Sequence, residues 1–190
     1  MNEHSKTSES EDHEFEVKLF EPNYFDAVLD FAASLPVEDL LFLPRDVRNI
    51  KNADQWLKSI ENRSIVTFIA LEEKKIVGAG AIVRKLRGWS SHVAEIRIRI
   101  REDYFDRGLA RLLLKHCLAE AIEAGAEKLI ARIVSHKKLA IGVYRSFGFE
   151  HEATLRNQIR DNNGALQDLI IYSYHVPIAD GSGLGYSEIY

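Results

Sequence analysis

The sequence predicts an α/β sandwich around a mixed sheet, and three stretches carry that expectation. The first is residues 95–125, EIRIRIREDYFDRGLARLLLKHCLAEAIEAG, which reads as strand, short loop and helix. Ile96, Ile98 and Ile100 alternate with Glu95, Arg97, Arg99 and Arg101, the period-two pattern of a strand. Leu109, Leu113 and Cys117 then recur at helical spacing, with Leu114, Leu118 and Ile122 on the adjoining stripe. Gly125 is placed to end that helix in a left-handed conformation. The second stretch is the pair of β-rich runs over 65–86, spaced as a hairpin about 72–75. The third is Asn163-Gly164 between two strand-like runs, a strong hairpin signal. Hairpins feeding a strand–helix–strand crossover call for antiparallel pairing together with a parallel pair across the central helix.

Taken in order, residues 1–13 are polar and acidic without apolar periodicity and predict a disordered arm. Phe15, Val17 and Leu19 alternate with Glu16 and Lys18 as a first strand. Pro22 precedes a helix over 24–34 with Phe25, Val28, Leu29 and Ala32 on one side. Pro36 and Pro44 bracket an irregular apolar loop, and Asn52 is the expected cap of a short helix over 53–60 that buries Trp56, Leu57 and Ile60. Gly78 and Gly80 share one face of the second hairpin strand, where they permit a close approach or a bulge. A strand over 128–134 and a helix over 137–146 follow the central helix, and the glycine-rich residues 177–190 read as a flexible tail. The order is therefore β-α-α-β-β-β-α-β-α-β-β, a single domain over 14–176 with no internal repeat.

Composition excludes several classes. At 190 residues, 46% hydrophobic and 28% charged, the chain can bury a full core, and a net charge of −4 gives no drive toward nucleic acid. Cys117 is the sole cysteine, so neither a disulfide framework nor a cysteine metal cluster is expected; on the apolar side of its helix it reads as a core thiol. No apolar run reaches the ~20 residues that span a bilayer, and the polar N-terminus is unlike a signal peptide, so the expected location is cytoplasmic.

A strand, a short loop and a helix form a ready-made anion site, because the first turn of the helix has amides without internal acceptors. Here the loop and first turn read Phe105-Asp106-Arg107-Gly108-Leu109-Ala110, and downstream comes KKLAIGVYRSFGF, with Ala140, Tyr144, Gly148 and Phe149. Together these resemble the two signatures of the GCN5-related N-acetyltransferase (GNAT) superfamily, and the element order agrees over roughly residues 14–176. The resemblance implies a mixed, mostly antiparallel sheet with helices on both faces and a central βαβ unit. It also implies acetyl-CoA as co-substrate, without a metal, and transfer of acetyl to a primary amine of a small molecule or peptide by direct attack. A non-catalytic acyl-CoA-binding regulatory module of the same fold is the alternative.

The resemblance places the CoA site at Ile98, Arg99, Ile100, Phe105, Asp106, Arg107, Gly108, Leu109, Ala110, Arg111 and Lys137. Phe105 stands where Gln or Arg is usual, Asp106 brings a carboxylate to a pyrophosphate loop, and Lys137 stands where many members have Asn. Tyr144 matches the tyrosine assigned as acid toward the CoA sulfur, with an aromatic packing helix on sheet as the alternative. Glu95 is the candidate base, with pairing to Arg97 as the alternative; His92 and His136 are reserves. One or two of Arg97, Arg99 and Arg101 are candidates to bind an anion on the acceptor, against a solvated face of cross-strand ion pairs. The acceptor is expected between the 35–49 loop, with Leu40, Phe42 and Leu43, and the hairpin about 161–164. Expected partners are the amine substrate and, as an option, a second copy in a homodimer, with neither nucleic acid nor membrane.

Overall fold

The computed structural model describes residues 15–35, 50–161 and 163–177. The expected arm over 1–13, most of the 35–49 loop with Leu40, Phe42 and Leu43, and the tail from 178 lie outside the described residues. Strand β1 (Glu16–Leu19) is followed by a 3-10 turn (Pro22–Tyr24), α1 (Phe25–Ser34) and α2 (Ile50–Glu61). Then come β2 (Ile65–Glu72), β3 (Lys75–Arg84), β4 (Val93–Ile100), a second 3-10 turn (Glu102–Tyr104) and α3 (Leu109–Glu123). The last described elements are β5 (Lys128–Val134), α4 (Lys138–Ser146), β6 (Glu150–Arg160) and β7 (Leu166–His175). Among the described residues the order of elements is as predicted. Helix boundaries shift: α1 starts at Phe25 and α4 at Lys138, each one residue later than expected, and α2 already runs at Ile50, so Asn52 is inside the helix and is not its cap.

The seven strands form one sheet in the order β1-β2-β3-β4-β5-β7-β6. Every neighbouring pair is antiparallel except β4–β5, which is parallel across the α3 crossover. Helices cover both faces. Leu109, Leu113, Leu114, Cys117 and Leu118 of α3 pack with Ile82, Ile96, Ile100 and Leu129 of the sheet, all nearly inaccessible to water. On the opposite face, Val28, Phe31 and Ala32 of α1 pack on Ile69, Leu71 and Ile76, with Trp56, Leu57 and Ile60 of α2 against the same cluster. Two separate apolar clusters, one per face, are what a half-covered strand pattern on both sides of a sheet demands.

The close approach foreseen at Gly78 and Gly80 is made by α3. A Cβ on Gly80 would stand 2.6 Å from the Cys117 Sγ, and one on Gly78 would stand 3.0 Å from the Leu113 Cδ1. The bulge falls on the neighbouring strand, between Ala70 and Leu71 of β2.

Candidate active site

The β4–β5 ladder lasts for only three pairs, Val93–Lys128, Ala94–Leu129 and Glu95–Ile130. Beyond Glu95 the two strands diverge and leave a cleft of about 850 Å³ between them. The Arg101 amide donates to the Val77 carbonyl at 3.1 Å, which sets the parity of β4. In an antiparallel ladder such bonds alternate, so odd-numbered amides of β4 face β3 and even-numbered ones face the cleft. Ile98 and Ile100 thus present backbone N–H groups along an edge with no strand beside it among the described residues. The Ile96 carbonyl on the same edge accepts a hydrogen bond from the Tyr144 hydroxyl at 3.1 Å, and the Ile98 carbonyl accepts one from Arg99 Nη1 at 2.7 Å.

At the mouth of the cleft, α3 begins without a side-chain cap. Gly108 is its N-cap at φ +76°, and the first intrahelical bond runs from the Leu112 amide to the Gly108 carbonyl at 3.1 Å. The amides of Leu109, Ala110 and Arg111 therefore lack intrahelical acceptors, at the positive end of the helix dipole. A Cβ at Gly108 would meet nothing within 4 Å, so the space before the helix is open. Arg111, Lys137 and Lys138 line the same region. Open amides, a helix N-terminus and three cations fit a diphosphate. Asp106 takes φ +64°, a left-handed conformation that Asp tolerates, and its side chain is exposed. Phe105 lines the cleft and is 42% exposed.

Arg107 turns the other way. Its Nη2 lies 2.6 Å from Glu72 Oε1, and its guanidinium stacks over the rings of Tyr104 (4.5 Å) and Phe15 (5.1 Å). The Tyr104 hydroxyl donates to the other oxygen of Glu72. Of the eleven residues that the resemblance placed at the CoA site, Arg107 is the one whose side chain is absent from the cleft wall. It belongs to a staple that fastens the loop before α3 to the end of β2. Glu72 and Tyr104 were not picked out by sequence, because the pairing spans 32 to 35 residues and no local pattern announces it.

Tyr144 sits in the last turns of α4, buried, with its phenol pushed well above the usual range by loss of solvent. The spacing Tyr144-Gly148-Phe149 has a local cause. The Phe149 amide donates to the Tyr144 carbonyl (3.2 Å) and the Gly148 amide to the Arg145 carbonyl (3.0 Å), with Gly148 at φ +84°. This is the paired-bond helix ending that uses a left-handed glycine, and its usual apolar contact is present as the Tyr144–Phe149 edge contact at 5.1 Å. The motif read from sequence therefore orients Tyr144, and the strand divergence gives its hydroxyl a carbonyl of β4 to reach.

Glu95 lines the cleft with both oxygens held by Arg97, at 2.8 Å (Nε–Oε1) and 3.0 Å (Nη2–Oε2). Of the anion-binding candidates, Arg97 is thus engaged with Glu95, Arg101 pairs with Asp103 at 3.1 Å, and Arg99 holds the Ile98 carbonyl. His136 lines the cleft, whereas His92 stands exposed outside it. The structure adds cleft residues that sequence reasoning missed: Arg132 of β5, Gln158 and Ile159 of β6, and Leu169 of β7. The register of β6 shifts between Leu155 and Ile159, with Asn157 at φ +52°, and this bulge sets how Gln158 and Ile159 meet the cleft.

The family described as Acetyltransferase (GNAT) family matches residues 31–149. Among solved structures, an acetyltransferase of GNAT family from Streptococcus pneumoniae is similar at 21% identity and a TM-score of 0.74, covering 86% of this chain and 100% of its own. A ribosomal-protein-alanine N-acetyltransferase from Brucella melitensis is similar at 22% identity and 0.71, covering 84% of this chain and 99% of its own. A putative acetyltransferase from Salmonella typhimurium, in a structure with its cofactor acetyl-CoA, is similar at 16% identity and 0.72, covering 90% and 99%. No curated protein matches the chain. At these identities the structural likeness is one of fold.

Proposed function

The chain belongs to the GNAT acetyltransferase family, and from that premise we propose that it moves an acetyl group from acetyl-CoA to a primary amine of a small molecule or peptide by direct attack. The observation that carries the proposal is the divergence of β4 from β5 beside an uncapped helix N-terminus. The amides of Leu109, Ala110 and Arg111, with Lys137 and Lys138, would hold the diphosphate, and the Ile98 to Ile100 edge would hold the acyl arm. Acetyl-CoA, when bound, supplies an activated acyl carbon and a thiolate leaving group. An N–H of β4 directed at the thioester oxygen is the donor on which such acyl transfer depends.

As the C–N bond forms and the C–S bond breaks, one proton leaves the amine and one reaches the sulfur. Tyr144 is the proposed donor, since burial keeps its phenol protonated at neutral pH. Glu95 is the proposed acceptor, directly or through water, on the lone pairs that Arg97 leaves open. Tyr144→Phe should lower kcat by about 10²-fold or more with unchanged acetyl-CoA affinity by calorimetry. Full activity in that variant would leave Tyr144 a structural role only. The bidentate hold of Arg97 on Glu95 favours one second reading, a non-catalytic acyl-CoA-binding regulatory module. Tight acetyl-CoA binding without thiol release on any amine would select it.

A further inference from the structure

We infer that the acceptor amine also carries a carboxylate and that Arg132 binds it; this rests on the acetyl-transfer reading above. The argument is one of charge. Six cations, Arg97, Arg99, Arg111, Arg132, Lys137 and Lys138, line the cleft against the carboxylates of Glu95 and Asp106. Arg111, Lys137 and Lys138 stand where α3 and α4 begin, beside the diphosphate cradle, and CoA phosphates answer them. Arg97 is matched by Glu95, and Arg99 has Nη1 committed to the neutral Ile98 carbonyl at 2.7 Å, which takes up one arm of its fork. Arg132 remains. Ile130 is the register partner of Glu95, so Arg132, two residues on, projects from the same face of the sheet. Its side chain is 51% exposed, and its sole ion-pair contact among the described residues is a loose one, Nε to Glu95 Oε2 at 4.0 Å.

An amine arriving as ammonium meets a repelling cation on this wall unless it brings its own anion. The planar guanidinium fork matches a carboxylate with two parallel hydrogen bonds, which makes that anion the fitting one. Glu95 and Arg132 are 4.0 Å apart, so the amine and the carboxylate belong to one small unit, an amino acid or the end of a short peptide. Neither composition nor periodicity marks Arg132, which sits between Ala131 and Ile133 in β5, a strand whose other charged residue is Lys128.

The test is a thiol-release panel of free α-amino acids, dipeptides and their carboxamides, run on wild type, Arg132→Gln and Arg132→Lys. Free carboxylates should exceed the matching amides by roughly tenfold or more in kcat/KM, and Arg132→Gln should erase that preference through KM. Arg132→Lys, which keeps the charge without the fork, should restore part of it. The KM for acetyl-CoA should not move. A second readout needs no turnover: calorimetry of N-acetylglycine against N-acetylglycinamide on the CoA-loaded protein should favour the acid, and only with Arg132 present. Equal use of acids and amides, or a preference that survives Arg132→Gln, would overturn the inference while leaving acetyl transfer intact. No turnover of any amine would sink the proposed function, and the calorimetric comparison would then decide the role of Arg132 by itself.

Discussion

Replacing Gly80 by alanine probes a close helix–sheet contact, that of β3 with α3. The new Cβ would stand 2.6 Å from Cys117 Sγ and 3.1 Å from Ile98 Cδ1, and both neighbours lie in the cluster under α3. Cys117 is fully buried and its thiol sits on a helix, where few side-chain rotamers are open. Overpacking of this kind costs about 1–3 kcal/mol. Reduced freedom of the unfolded chain returns about 0.4–1 kcal/mol, since the Gly80 backbone is not in the left-handed region. The net loss should be about 1–2 kcal/mol, or roughly 2–8 °C in melting midpoint for a chain of this size. Gly78→Ala meets the movable tips of Leu113 and Leu109 at 3.0 and 3.1 Å and should cost less. Gly142→Ala, in α4 with nothing within 4 Å, should stabilise by up to about 1 kcal/mol. Calorimetric melting of the three variants gives the ranking, and Cys117→Ala supplies the decisive control. In that background the Gly80→Ala penalty should shrink by about 1 kcal/mol or more, a coupling expected of touching residues. A penalty that is the same in both backgrounds would refute the clash as its origin, and a Gly80→Ala melting above wild type would refute the packing argument altogether.

Glu72→Gln should loosen the loop before α3, because Arg107 and Tyr104 both hang on that carboxylate. Steady-state kinetics should show the KM for acetyl-CoA rising by roughly threefold or more with kcat little changed. In the same variant the Tyr104 phenol, held above its ordinary range by the Glu72 hydrogen bond, should titrate lower by ultraviolet absorbance; no shift would disconnect the pair. The Tyr144 phenol is raised by burial, so its proton stays on past the ordinary value of about 10 and kcat should show no alkaline loss from it below that pH. An alkaline limb near pH 8 that vanishes in Tyr144→Phe would contradict this. Burial, then the neighbouring Lys115, lowers the His116 pKa, so the unfolded chain takes up its proton first as pH falls. That contribution to stability is complete above about pH 6.5 and is lost as pH drops below it. Melting between pH 7 and 5 should therefore fall further for wild type than for His116→Phe; identical slopes would remove His116 from the account.

By itself the sequence determined the elements and the loop at which α3 starts. The 3.6- and 2-residue periods placed α3 and β4, because each buries one stripe against one cluster. Gly148 and Phe149 specified the ending of α4, a local matter of one left-handed residue and two hydrogen bonds. Gly108 marked the start of α3 for the same kind of reason, since the loop and its helix are contiguous in the chain. Tertiary structure decided everything that depends on which strands stay paired. The separation of β4 from β5 after three pairs bares the Ile98 edge, yet each strand alone has an ordinary pattern. It was tertiary structure, too, that sent Arg107 to Glu72, Arg97 to Glu95 and Arg132 to the cleft wall. Charged side chains choose partners by distance across the folded sheet, and distances of that kind are set by strand register between segments tens of residues apart.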